Sequence, residues 1–543
     1  MKTLIHNLSM LILGVLVLAP VSGAADCPRS AQGSVVVNPP DLYSRDGRLK
    51  VNLFYHSSTD AIGRTLYCFL TADGKESPTL HVHPGDRLMV NLKNDLGAAE
   101  HAPSMAMGEG TLGVCGDAFM TPSSVNLHFH GGNLPPACHS DEVIRTLVNP
   151  GSTFKYDFVI PKDQPPGLYW YHPHVHGLSD PAVLGGASGA IVVEGIERVQ
   201  PATANLREQV LVIRDQTLTR PTVWTDASQP SFDISLNYVP VPYPDYPPAI
   251  IHLAHGERQL WRVLNASADV IVDLQLQYDG VPQTVEVVAL DGVPLASQYG
   301  TRPGSILEMK HVYLGPASRA EFIVTAPSPS VKSATLLTLG AETGPQGDIT
   351  PPRPLASIRL EKMQSVHSHP TPPLSHSGAS AENVRYGDLA GMKPDTQRTL
   401  FFSETPRTRS GDDDSQSFFI TVAGVKPQAY DPASPPAIVT TQGMVEDWTV
   451  ENRSPEVHEF HTHQLHFLLM ARDGVAVPLE QQQYLDEVMV PYYTGVGPYP
   501  SVTVRMDFRG PLTGDFLYHC HILDHEDNGM MAVLRVLPRS AKK

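Results

Sequence analysis

The sequence predicts an all-β chain built as three β-sandwiches, and three observations carry that prediction. Apolar and polar residues alternate in short runs, the two-residue period of half-buried strands. Pro and Gly punctuate these runs, with 50 Pro and 42 Gly among 543 residues, and Pro stands at about twice its usual share, which favours short strands and turns over long helices. The runs fall into three successive blocks, and no segment demands a long helix. A chain of this length exceeds one ordinary core, and length alone suggests roughly three or four domains.

Taken in order, residues 1–25 read as a secretory signal. Lys2 gives a positive start, residues 11–18 are apolar, and Ser22, Gly23, Ala24 and Ala25 offer small residues for cleavage. That run is too short to span a bilayer comfortably, so the expected product is exported, periplasmic or extracellular, with no membrane attachment after signal removal. The first block covers 26–198. In it Leu88, Val90 and Leu92 alternate with Arg87, Met89 and Asn91 after a Pro-Gly-Asp turn, and residues 189–193 form a closing apolar strand. The second covers 199–365 and contains strand patterns at 209–213, 259–265 and 319–324. Residues 366–395, rich in Pro, Ser and His, read as a linker. The third block, 396–543, includes Val502, Val504, Met506 and Phe508 alternating with Thr503, Arg505 and Asp507.

The formal net charge of −17 argues against a nucleic-acid partner, which needs a basic face. Five cysteines occur. If Cys520 is a metal ligand, Cys27, Cys68, Cys115 and Cys138 remain, an even number that suits two disulfides in an exported protein. Three pairings are open, and we take Cys27–Cys68 with Cys115–Cys138 as the working choice.

Histidine carries the chemistry. Four His-x-His pairs stand at His128/His130, His172/His174, His461/His463 and His519/His521, two in the first block and two in the last. A spacing of two puts both members on one face of a strand. One such pair is usually accidental, but four in apolar, strand-like settings are not. Eight neutral imidazoles are too many for one ion and suit copper. Parity also separates a second group. Cys520 faces away from His519 and His521, and His458 faces away from His461 and His463. With His525 and Met530 they supply Cys, two His and a weak axial Met, the donors of a blue-copper site.

These four segments resemble the copper-binding motifs of the multicopper oxidase family, and the likeness runs in block order through the whole mature chain. The resemblance implies three cupredoxin-like Greek-key domains and four copper ions: one type 1, one type 2 and a type 3 pair. Carried over by position, type 1 takes His458, Cys520, His525 and Met530; type 2 takes His128 and His461; the type 3 pair takes His130, His172, His174, His463, His519 and His521. The family couples one-electron oxidation of a small-molecule reductant to four-electron reduction of dioxygen to water. A laccase-like oxidase of phenols or aromatic amines, monomeric, is therefore expected. A cuprous oxidase using Cu(I) in copper tolerance is the alternative. A non-catalytic copper store or carrier needs no Cys link between sites, and a two-domain nitrite-reductase-like arrangement does not fit complete first and last motif sets. The third motif departs from the family by opening His458-Glu459 instead of His-Pro, and the acid after the first motif, Asp141, lies slightly later than in relatives.

Glu526 and Asp141 are the expected proton-relay acids, with orientation of imidazoles as the competing role. His176 is expected to hydrogen-bond beside the cluster, His466 to pack near the last core, and Met531 to pack beside the axial Met530. His81, His83 and His101 carry no partner pattern. Met105 and Met107 read as loop packing, and His367, His369 and His376 as solvated linker residues.

Overall fold

The computed structural model describes residues 26–97, 105–106, 115–218, 228–295, 304–361, 388–405 and 416–539. The expected signal and most of the expected linker lie outside these residues, as do His101, Met107, His367, His369, His376 and the Met105 side chain.

The fold is all-β, as predicted, and its larger sheets form three pairs. In the first, strands Asp41–Tyr43, Thr79–Val82, Gly189–Val193, Gly167–His172 and His128–His130 make a five-stranded sheet in that order. It faces a four-stranded sheet of Thr153–Val159, Arg87–Asn94, Arg48–Thr59 and Thr65–Leu70. Arg48–Thr59 shows the reason for the pairing: alternate residues Leu49, Val51, Leu53 and Tyr55 are buried and their neighbours are not. They meet Phe129, Tyr169, Tyr171 and Ile191 from the opposing sheet. The second pair has eight and six strands around Leu211, Trp261, Phe322 and Leu355. The third has seven strands against five around Phe402, Trp448, Phe467 and Tyr518. Parallel and antiparallel pairings mix in each, so chain neighbours are often not sheet neighbours.

The pairs also pack on one another. Leu168, Trp170, Ala190 and Val192, on the outer face of the first five-stranded sheet, bury against Val210, Val212, Leu264 and Ala317 of the second pair. Val293 meets Val445, Leu468 and Tyr484 of the third. Two short helices, Ser179–Leu184 and Leu523–Asp527, meet at Val183 and Leu523 with Ala268 between them, so all three pairs touch there. The described end of the expected linker is not a bare spacer. Leu389 is buried with Val445 and Tyr484, and Arg505 donates to the carbonyls of Leu389, Ala390 and Met392. Of the three open disulfide pairings the protein has Cys27–Cys68 and Cys115–Cys138, which leaves Cys520 as a buried thiol.

Candidate metal centres

Two strand pairs deliver the histidines. In the first sheet, His128–His130 runs antiparallel to Gly167–His172 with His128 opposite His172 and Trp170 opposite His130. In the last, His458–Thr462 runs antiparallel to Gly514–Cys520 with His461 opposite His519 and Phe460 opposite Cys520. All eight paired histidines are buried. His130, His172 and His521 bring one ring nitrogen each within 4.8 Å of one another, and so do His174, His463 and His519. In the second set the Nε2 atoms stand 3.0, 3.1 and 3.4 Å apart. His128 and His461 close the cluster beside His130.

The outer nitrogens show which atoms face inward. His128 Nδ1 bonds Asp141 Oδ1 at 3.0 Å, His172 Nδ1 the Pro173 carbonyl at 2.8 Å, and His461 Nδ1 the Asp486 carbonyl at 2.9 Å. His519 Nδ1 bonds the Cys520 carbonyl at 2.9 Å and stands 3.1 Å from Glu526, whose other oxygen is 3.5 Å from His174 Nδ1. His130 is reversed: its Nε2 lies 3.0 Å from Glu487, which leaves Nδ1 for the cluster. Among the described residues, the buried Nε2 atoms of His128, His172 and His461 and both ring nitrogens of His130 have no hydrogen-bond partner. Buried polar atoms do not stay unsatisfied without reason, and outer-nitrogen partners of this kind fix the tautomer of metal-binding imidazoles. Burial and neighbouring imidazoles push His130, His172, His461, His463 and His521 well below the usual histidine range, and His174 to about 3. These shifts favour the neutral imidazole, the form that binds metal.

On the opposite face of strand Gly514–Cys520 a smaller set converges. His458 Nδ1 and His525 Nδ1 are 3.0 Å apart, and each is 3.7 Å from Cys520 Sγ. Burial pushes the Cys520 thiol up while the Glu459 amide, 3.4 Å away, opposes the shift; a bound cation would deprotonate it. Met530 is held to this set through its backbone: its carbonyl accepts from Cys520 N at 3.1 Å and its amide donates to His525 at 2.9 Å. Its side chain is fully buried in the core that contains Cys520. Met531 points to another cluster, with Leu517 and Val533.

The structure thus brings the eight paired histidines together in one group and His458, Cys520 and His525 in another, with Met530 buried in the same core as Cys520. The acids are also close. Asp141 accepts from His128, the Phe129 amide and Gln464 Nε2. Burial would raise the Glu526 carboxyl, but His174 and His519 outweigh it and hold Glu526 below the usual range. Other residues went unpredicted. Glu487, directly across the ladder from His461, is fully buried against His130 and His461. Burial and the nearby Glu459, Asp486 and Asp291 raise its carboxyl well above the usual range. Glu459, the departure from His-Pro, is buried with Ser318 Oγ at 3.2 Å and is likewise raised. Glu404 lies 3.8 Å from His458 Nε2 and Glu456 3.6 Å from His525 Nε2, both nearly inaccessible.

Three expectations change. His466 does not simply pack in the last core: its Nε2 reaches the Asp291 carbonyl at 3.0 Å across the junction with the second pair and lies 3.3 Å from Asp486. His176 meets Tyr430 edge to face at 4.9 Å instead of bonding beside the cluster. His81 does have partners, Glu194 at 2.7 Å and Asp41 at 3.0 Å; burial opposes its charge, but the two carboxylates win and raise it to about 9.

Sheet pairs of this kind, with Cys520, His458 and His525 on one face of a strand and an eight-imidazole cluster on the other, suit the donor preferences of copper. Comparison with known proteins agrees. Two family models, both described as multicopper oxidase, match residues 120–198 and 403–540. Multicopper oxidase mco of Staphylococcus haemolyticus is 22% identical over 476 residues, 84% of this chain and 81% of that one. The laccase of Bacillus subtilis is 23% identical over 513 residues, 84% and 87% of the two chains. Among solved structures, the multicopper oxidase of Campylobacter jejuni, described as a metallo-oxidase, aligns with TM-score 0.66 at 22% identity over 96% of this chain and 99% of that one. The chain belongs to the multicopper oxidase family. Membership implies copper, a reducing substrate and dioxygen.

Proposed function

We propose that the chain is a laccase-like multicopper oxidase of three cupredoxin-like domains, 26–198, 199–365 and 396–543, that acts on phenols or aromatic amines after export. His458, Cys520, His525 and Met530 hold type 1 copper. His128 and His461 hold type 2, and the sets His130/His172/His521 and His174/His463/His519 hold the type 3 pair. Bound there, four copper ions supply one-electron oxidation of the reductant at type 1 and four-electron reduction of dioxygen to water at the cluster. The observation that carries this reading is the alternation at 519–521: one residue step separates the thiol of the small set from two imidazoles of the large one.

The chain's own residues do the rest. Cys520 joins the two sites through a few backbone bonds. Asp141 orients His128, Glu487 orients His130 and His461, and Glu526 orients His174 and His519. Asp141 and Glu526 also pass protons toward the cluster. Burial of all eight rings keeps bulk water away from it.

A second reading, oxidation of Cu(I), is favoured by Glu404 and Glu456, two carboxylates behind the type 1 imidazoles that would favour a cationic reductant. Steady-state oxygen uptake by the copper-loaded protein with Cu(I) and with a substituted phenol separates the readings. The phenol should give the higher kcat/KM. A preference for Cu(I), lost in Glu404→Gln and Glu456→Gln with a roughly tenfold rise in KM for Cu(I), would establish the second. Copper-loaded protein that takes up no oxygen with either would be a store, and both readings would fall.

A further inference from the structure

The second sheet pair contributes none of the twelve ligands assigned above, yet one of its residues reaches three ligand-bearing segments, directly or through Asp486. Arg319 opens strand Arg319–Thr325 and is fully buried. Its Nη1 and Nη2 bond the two oxygens of Asp486 at 2.6 and 2.7 Å, the bidentate fork that gives Arg its geometric specificity. Its Nε donates to the Leu168 carbonyl at 3.2 Å, in the strand that delivers His172.

The Arg319–Asp486 pair reaches two further ligands. The Asp486 carbonyl accepts from His461 Nδ1 at 2.9 Å. The turn after His130 lies flat on the pair: a Cβ at Gly131 would stand 2.6 Å from Arg319 Nη2 and 2.7 Å from Asp486 Oδ2. With φ at +79°, that position also takes the left-handed backbone glycine prefers. The contacts are one-sided. His174, His463 and His519 are tied instead through Glu526 and one another, and the type 1 donors lie on the other face of the last sheet.

From this we infer that Arg319 is a positioning residue for one side of the cluster, setting His130, His172 and His461 from the second domain. The inference rests on the cluster assignment proposed above. Its test compares Arg319→Lys, which keeps the charge but loses the fork, with Arg214→Lys. Arg214 is a comparably buried arginine that bonds Ser188 and stacks on Tyr238, and none of those bonds reaches a ligand-bearing strand. Type 2 copper is read by its electron paramagnetic resonance signal, relative to the blue absorption of type 1.

Arg319→Lys should keep the blue colour while its type 2 signal broadens or disappears, with roughly 10–100-fold weaker copper retention at that site. Arg214→Lys should leave the ratio of type 2 to type 1 as in the parent. Asp486→Asn keeps the carbonyl that holds His461 and weakens only the grip, so it should give a milder selective loss; it supplies the reading if Arg319→Lys does not fold. A parental ratio in both Arg319→Lys and Asp486→Asn, or parallel loss of both copper types, would overturn the inference. Copper-loaded parent protein with no type 2 signal would instead refute the cluster assignment.

Discussion

The two faces of the strand ending at Cys520 differ in how much of the molecule they require. The thiol side draws its donors from residues 458–530, all within the third sheet pair, and its core is continuous with Phe402, Trp448 and Phe460. The imidazole side takes two strands from the first pair and two from the third, with the second pair braced behind it through Arg319 and Asp486. One site is therefore a property of a single sandwich, and the other is a property of an interface. Changes at domain contacts should damage the cluster long before they touch the blue site.

The largest effect expected is loss of the link itself. Cys520→Ser should remove the blue absorption and lower oxygen uptake by several orders of magnitude, while the type 2 signal persists; persistence of blue colour would break the assignment. Next, Glu526→Gln should slow dioxygen reduction by about 10²–10⁴-fold with the blue absorption intact, and normal turnover in that variant would leave Glu526 with an orienting role alone. Glu487→Gln should weaken copper retention at the cluster roughly 10–100-fold and leave type 1 copper bound, as read by metal analysis beside the visible spectrum.

The smallest effect should lie far from both sites. His81 is raised from 6.5 to about 9 by Glu194 and Asp41. A raised folded-state value means the contribution is complete below about pH 6.5 and fades as pH climbs through 9. At about 1.4 kcal/mol per unit this amounts to at most about 3.5 kcal/mol. His81→Gln should thus lower the melting temperature at pH 6 and scarcely at pH 10, with both copper signatures unchanged. Equal destabilisation at the two pH values would point to packing against Tyr43 instead.

Local periodicity made much of this legible. A spacing of two fixes which side of a strand a histidine occupies, so the division between His519/His521 and Cys520 could be read without a structure, as could the opposite facing of His458 and His461. Partners brought in by tertiary packing could not. Glu487 becomes the neighbour of His461 only through ladder register, and Asp41 meets His81 across the gap between an edge strand and its neighbour. His466 looked like core because its apolar setting says nothing about the Asp291 carbonyl, 175 positions away. Arg319 sits in an ordinary strand pattern, and nothing in that pattern marks it as lying beside Gly131.

Positions 174 and 519 stand 3.4 Å apart across 345 residues of chain, and this has a consequence for biosynthesis. A chain stopped between residues 174 and 519 carries His128, His130, His172 and His174 but lacks Cys520, His521 and His525. The order of motifs along the polypeptide thus withholds the small set until Cys520, His525 and Met530 have been added, long after the first four histidines.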